Sequence, residues 1–164
     1  IFIAEGFLMG AQWFSGSGKT VEFDDIICEV VHHHGKNGKI FIGTDSHKDG
    51  GNFIFATVIC LHGSAMQSGG RYFFTRQKVK AKKFGSLYHR VFYETQKSVE
   101  VGEIFREMCL DGIEVHIDVS PPASQAATSS FSDSIRGYVE SAGFENKIKP
   151  NSWASFSIAD KHAK

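Results

Sequence analysis

The feature that most constrains this chain is the string KIFIGTDSHK at residues 39–48, an apolar run that ends on a carboxylate. Ile40, Phe41 and Ile42 are too apolar and too few for anything but a buried strand, and Gly43 and Thr44 carry that strand to Asp45. Asp45 therefore stands where a sheet runs out. The string IEVHIDVS at 113–120 repeats the arrangement. Ile113, Val115, Ile117 and Val119 alternate with Glu114, His116 and Asp118, so one face is apolar and the other carries an acid. Two strands that each deliver an aspartate point toward a metal site.

A chain of 164 residues, 41% of them hydrophobic, can bury the core of one domain without covalent staples. Cys28, Cys60 and Cys109 are far apart and show no CxxC spacing, which suits reduced, buried, structural thiols in a reducing compartment. Eighteen basic residues balance eighteen acidic ones, so a polyanionic partner has to be met by a local patch. The opening IFIAEGFLMGAQWF is interrupted by Glu5 and Gln12, is too short to span a bilayer, and has neither a basic start nor a small-residue cleavage site. It reads as neither signal peptide nor membrane anchor, and a cytoplasmic location is expected. The chain starts at Ile1, and residues 1–19 are expected to be an N-terminal extension or linker, flexible at 15–18, ahead of one domain over 20–164. Gly18-Lys19-Thr20 is not a phosphate loop, because Trp13 occupies the place of its first glycine.

From Thr20 the pattern is helical: Phe23, Ile26, Ile27, Val30 and Val31 share a face, and Gly35 ends the helix. His32, His33 and His34 fall in its last turn and point in three directions, as in a solvated helix end. After Asp45 a turn at 49–52 leads to a strand over 53–61, and a second turn at 62–70 leads to a strand over 71–81, giving an antiparallel meander of three. In the third strand Arg76, Lys78, Lys80 and Lys82 recur at period two. They are either a ridge that contacts phosphates or a solvated strand whose lysines discourage edge pairing.

Residues 84–109 form the longest predicted helix. At about 100° per residue from Leu87, the residues Val91, Thr95, Val101, Gly102, Phe105 and Cys109 fall in one arc together with Glu94, while Glu100 and Glu103 fall opposite. A carboxylate on a buried face is costly unless it is paired or bound to metal, so Glu94 needs a cation, either a metal ion or a neighbouring Arg or Lys. Gly112 ends the helix, and a right-handed crossover lays the strand carrying Asp118 parallel to the first, so that Asp45 and Asp118 meet. A loop of small residues follows at 121–128. Ser130 and Asp133 look like an N-cap pair for a helix striped by Phe131, Ile135, Tyr138 and Ala142, and residues 147–149 form a short strand. Ser152 is expected to cap a last helix in which Trp153, Phe156 and Asp160 share a face. A second carboxylate thus lies on a stripe that ought to be apolar.

Three antiparallel strands, a long helix, a parallel strand, a helix, a short strand and a last helix, with acids on the first strand, the long helix, the fourth strand and the last helix, resemble the ribonuclease H-like superfamily. GTDSH at 43–47, YET at 93–95, HIDVS at 116–120 and KIKPNSWASFSIADKHAK at 147–164 are similar to the YkuK-like family of ribonuclease H-like nucleases. The resemblance implies an α/β fold with a five-stranded mixed sheet and helices on both faces. It also implies metal-binding, catalytic roles for Asp45, Glu94, Asp118 and Asp160, with two ions bridged by Asp45. The residues agree with that chemistry independently. Hard oxygen donors favour Mg²⁺ or Mn²⁺, and two such ions about 3.5–4 Å apart activate water and hold the leaving oxygen of a phosphodiester. Crowded carboxylates without a cation repel, so at least one should have a raised pKa. His47 and His116 are candidate auxiliaries for proton relay or substrate orientation, against a plain hydrogen-bonded role.

The expected activity is metal-dependent hydrolysis of RNA, DNA or their hybrid, with nucleic acid as partner and no membrane. The alternative is a binding module of the same fold that uses the basic strand to hold nucleic acid without cutting it. Nucleotide binding as in the sugar kinase and actin-like branch is set aside, since the chain is too short for two duplicated domains.

Overall fold

In the computed structural model, which describes residues 8, 10–63 and 70–164, an α/β sandwich is built on one mixed sheet. Strands β3 (Lys39–Asp49), β4 (Asn52–His62) and β5 (Arg71–Lys80) form the expected antiparallel meander, and β6 (Ile113–His116) and β7 (Glu145–Lys147) add to it in parallel. Two further strands, β1 (Trp13–Ser15) and β2 (Thr20–Val21), extend the other edge. The sheet therefore has seven strands rather than five, in the order β2-β1-β5-β4-β3-β6-β7. The extra pair escaped the sequence reading because strands of three and two residues show no usable alternation. Trp13, assigned to an extension, is fully buried, and its indole Nε1–H donates to the Leu8 carbonyl at 3.0 Å. Residues 15–18 form the turn between β1 and β2, closed by Ser15 N donating to Lys19 O and Gly18 N donating to Ser15 O, both at 2.8 Å.

The two faces of the sheet differ. Helices α1 (Phe23–Gly35), α2 (Leu87–Glu107) and α3 (Ser132–Ser141) pack on the face of Ile40, Ile42, Ile59 and Val115, where the main core lies. Each fully buried Ile or Phe there contributes about 1.5–3 kcal/mol. The opposite face, with Phe41, Val58, Cys60 and Phe74, is covered by the C-terminal segment: a π-helical stretch, Ala154–Ala159, running into α4 (Asp160–Ala163). Gly43 is where that segment touches down. A Cβ there would stand 2.6 Å from Ser155 N, so no other residue lets the backbones approach so closely.

Local sequence explains the elements. Ser86 caps α2 by accepting from His89 N at 3.2 Å, so the helix begins at Leu87 rather than 84. It ends before Cys109 and Gly112, both at positive φ. Cys109 thus leaves the helix and is exposed, as is Cys28; only Cys60 is buried, where desolvation pushes its thiol up to about 12. Of the three histidines ending α1, His33 is buried, and its Nε2 bridges the carbonyls of Lys39 at 2.9 Å and His62 at 3.1 Å. Helix α3 follows a 3₁₀ turn, Ser129–Phe131, and has no side-chain cap. The C-terminal segment departs most from expectation. Its π winding breaks the three-and-seven spacing, Phe156 is 37% exposed, and Ser152 Oγ makes no cap hydrogen bond.

Candidate active site

The last rung between β3 and β6 joins Gly43 to His116. Asp45 and Asp118 each lie two residues beyond that rung, at the point where the strands part. Asp118 is accordingly in the loop after β6 rather than on the strand. Its neighbour is fixed by backbone: Lys149 N donates to Val119 O at 3.0 Å, which places Lys149 Nζ 2.8 Å from Asp118 Oδ1 as an ion pair without a well-directed hydrogen bond.

Glu94, the eighth residue of α2, reaches the same gap from the helical face. It is 4% exposed, as its place on the apolar arc of α2 predicts, and Ser46 Oγ donates to its Oε1 at 2.5 Å. Ser46 N donates to Asp45 Oδ1 at 2.8 Å, so one residue ties acids from two elements. Asp160 arrives from the C-terminal segment and accepts from Lys164 Nζ at 2.7 Å, one helical turn on.

Electrostatics show that these carboxylates converge. Burial pushes Asp45 up to about 7; the charge of Asp118 adds to this, the Ser46 amide opposes it, and the charge of Asp160 and a hydrogen bond shared with Asp160 raise it further. Two carboxyl groups can share a hydrogen bond only when one keeps its proton. Glu94 is held well above the usual carboxylate range, first by burial and then by the charge of Asp45, with Ser46 opposing and Asp118 adding. The crowding expected from the sequence is therefore present. Among the described residues, however, no three His, Cys, Asp or Glu side chains stand grouped as ligands of one metal ion. The reason is visible in their partners: Lys149, Lys164 and Ser46 hold Asp118, Asp160 and Glu94 in separate contacts.

His116 does not belong to this group. Its Nδ1 accepts from Ala154 N at 3.0 Å, which leaves the proton on Nε2, donated to Glu114 Oε1 at 2.8 Å. Burial holds its pKa below the usual value despite Glu114. The ring is packed between Phe41 and Trp153, so it is a structural tie to the C-terminal segment, not an auxiliary facing the acids. His47 is exposed on the acid side and lines an open groove of about 620 Å³ with Lys48, Arg76, Lys78 and Lys164.

Register places the basic strand on that same side. Asp45 pairs with Ala56 and Ala56 with Arg76; His47 pairs with Ile54 and Ile54 with Lys78; Asp49 pairs with Asn52 and Asn52 with Lys80. Cross-strand partners share a face, so Arg76, Lys78 and Lys80 stand on the face of Asp45 and His47. Lys82 lies past the strand, in the 3₁₀ turn Ala81–Lys83. Arg76 has a second task, since its Nε donates to His162 O at 2.7 Å and anchors the C-terminal segment. Sequence reasoning missed Ser46, Lys149 and Lys164. Only Lys164 left a signal, its i,i+4 spacing from Asp160.

Such a sheet, with acids from two parallel strands, a crossover helix and a last helical segment at one gap, defines a protein of nuclease-type α/β architecture. The family described as ribonuclease H-like matches residues 22–164, and the chain belongs to it. No curated protein and no solved structure matches the chain. No helix among the described residues is long and apolar enough to cross a membrane.

Proposed function

We propose that the protein is a metal-dependent nuclease that hydrolyses phosphodiester bonds in nucleic acid. The observation that carries this reading is the electrostatic coupling of Asp45, Glu94, Asp118 and Asp160, brought from four separate elements to one gap. Family membership supports it. The donor set fits Mg²⁺ or Mn²⁺, because every candidate ligand is a carboxylate oxygen and no thiol or imidazole faces the gap. Asp45, Glu94, Asp118 and Asp160 would hold such ions, two of them with substrate bound. When bound, they supply Lewis-acid activation of water and of the phosphate.

The chain's own residues do the rest. Ser46 orients Glu94 and Asp45 together, and a proton retained on Asp45 near neutral pH has to leave before that carboxylate serves a cation. Lys78, Lys80 and Lys82 meet the phosphate backbone, with Arg76 at the rim of the same groove.

The alternative is a non-catalytic nucleic-acid-binding module. It is favoured by one observation, the lysines already paired with two of the four acids. One assay separates the two: cleavage of single-stranded RNA, duplex DNA and hybrid in Mg²⁺ and in Mn²⁺. Asp45→Asn should lower the rate by more than about a hundredfold, since a lost ligand removes several kcal/mol of transition-state stabilisation, while exposed Glu103→Gln should leave it unchanged. No cleavage of any substrate, or full cleavage by Asp45→Asn, sinks the nuclease reading.

A further inference from the structure

Among the described residues, β1 pairs only with residues 73–75 of β5, so the following residues, 76–80, form an outer edge of the sheet. Two grooves meet across that edge. The first, on the acid side, is the groove of His47, Lys48, Arg76, Lys78 and Lys164 already described. The second, of about 640 Å³, lies on the α2 side and is lined by Lys80, Lys82, Lys83, Phe84 and Tyr93. Gln77 and Lys78 line both. The pair is therefore one track, cationic throughout, that starts beside Asp160 and turns around the edge of β5.

The second half of the track differs in chemistry from the first. Phe84 and Tyr93 are half-buried, pack against each other with ring centres 5.3 Å apart, and are backed by Phe55. Tyr93 is braced by its hydroxyl, which donates to Gln77 Oε1 at 3.1 Å. Rigid rings set among Lys80, Lys82 and Lys83 offer stacking surfaces beside phosphate contacts, the combination that holds unpaired bases. A duplex is stiff on the scale of about 150 base pairs and keeps its bases inside; it cannot follow a track that bends over a sheet edge and use its rings. A single strand can do both.

We infer that the track binds single-stranded nucleic acid, with the backbone running from the acids past Lys78 and Lys80 over the edge of β5 and bases stacked at Phe84 and Tyr93. This rests on the proposed nuclease reading for the position of the acids, but it makes a separate claim about the form of the substrate. The same chemistry serves RNA and DNA strands.

The test is fluorescence anisotropy with the full chain carrying Asp45→Asn, in Ca²⁺, using labelled oligothymidylate and oligouridylate of about 15 nucleotides and a blunt duplex of the same length. Either single strand should bind at least about tenfold more tightly than the duplex. Tyr93→Leu should lose about tenfold on the single strand and nothing on the duplex, and Tyr93→Phe should bind as the parent does, because it keeps the ring. Lys82→Gln with Lys83→Gln, both exposed, tests the path independently of the aromatic packing. It should flatten the slope of log affinity against log salt by about 1.4, from about 0.7 per phosphate contact on a single strand. Equal or tighter duplex binding, or single-strand affinity and salt slope unchanged in both the Tyr93→Leu and the double-lysine variants, overturns the inference. Cleavage of a duplex without single-strand preference would overturn it while leaving the nuclease reading intact; tight single-strand binding without cleavage would do the reverse.

Discussion

Two polar clusters lie within a few residues of each other in this fold, and they are built on opposite principles. Glu114 and His116 are buried and closed. The imidazole uses one nitrogen for Ala154 N and the other for Glu114, and aromatic rings seal the pair. Asp45 and Glu94 are buried and open: each is raised by burial and by other acids, and the protein supplies them only Ser46 and a weak pull on Glu94 from Arg90. A polar pair that the protein satisfies by itself holds structure together. A cluster that it leaves repelling is costly to the fold, and such cost is expected where an external cation and a substrate are to be received.

That contrast is sharpest in stability. His116→Leu removes a donor and an acceptor at once, leaving Glu114 and the Ala154 amide buried without partners, and should cost about 3–5 kcal/mol in a urea titration. A loss below about 1 kcal/mol would mean that the pair is dispensable and the contrast false.

Asp45→Asn should act in the opposite direction. Below pH 3.8 the folded and unfolded chains both carry the Asp45 proton; between 3.8 and about 7 the folded chain keeps a proton that the unfolded chain has shed, so stability falls as pH rises, and the full penalty is in place above about 7. The amide removes it and can still accept from Ser46 N. In chelator at pH 8 the variant should be more stable by about 2 kcal/mol, with the gain gone near pH 4. A variant less stable than the parent at pH 8 would show that the acids are not frustrated.

The smallest effect concerns Lys149, whose side chain is 38% exposed and so partly screened. Lys149→Met should raise the affinity for Mn²⁺, read by calorimetry without substrate, by about fivefold, because one positive charge no longer competes at Asp118. A lowered affinity would recast the lysine as the support that holds Asp118 in place.

How much of this was legible in the sequence follows from the range of the interactions involved. Asp45 and Asp118 were visible because strand alternation places an acid at the end of an apolar run, and Glu94 was visible as a violation of helical periodicity. The convergence of the two strands followed from the handedness of one crossover. Ser46, Lys149 and the Glu114–His116 pair were not readable, since each owes its role to a contact between segments far apart in the chain. His116 was misassigned for the same reason: alternation put it on the side of Asp118, but the donor that claims it, Ala154 N, comes from a segment whose winding no local pattern revealed.

That winding has a consequence for chain length. Across Ala154–Ala159 the hydrogen bonds reach one residue further than in an α-helix, so the stretch accommodates an additional residue before Asp160. Deleting any one of those six positions would let the segment relax to ordinary α geometry and swing everything after it by about 100°. Asp160 would turn away from Asp45 with its chemistry untouched. The count of residues between Ser152 and Asp160 is thus as much a part of the site as the carboxylate, and a one-residue length change there would have the force of a point mutation at Asp160 itself.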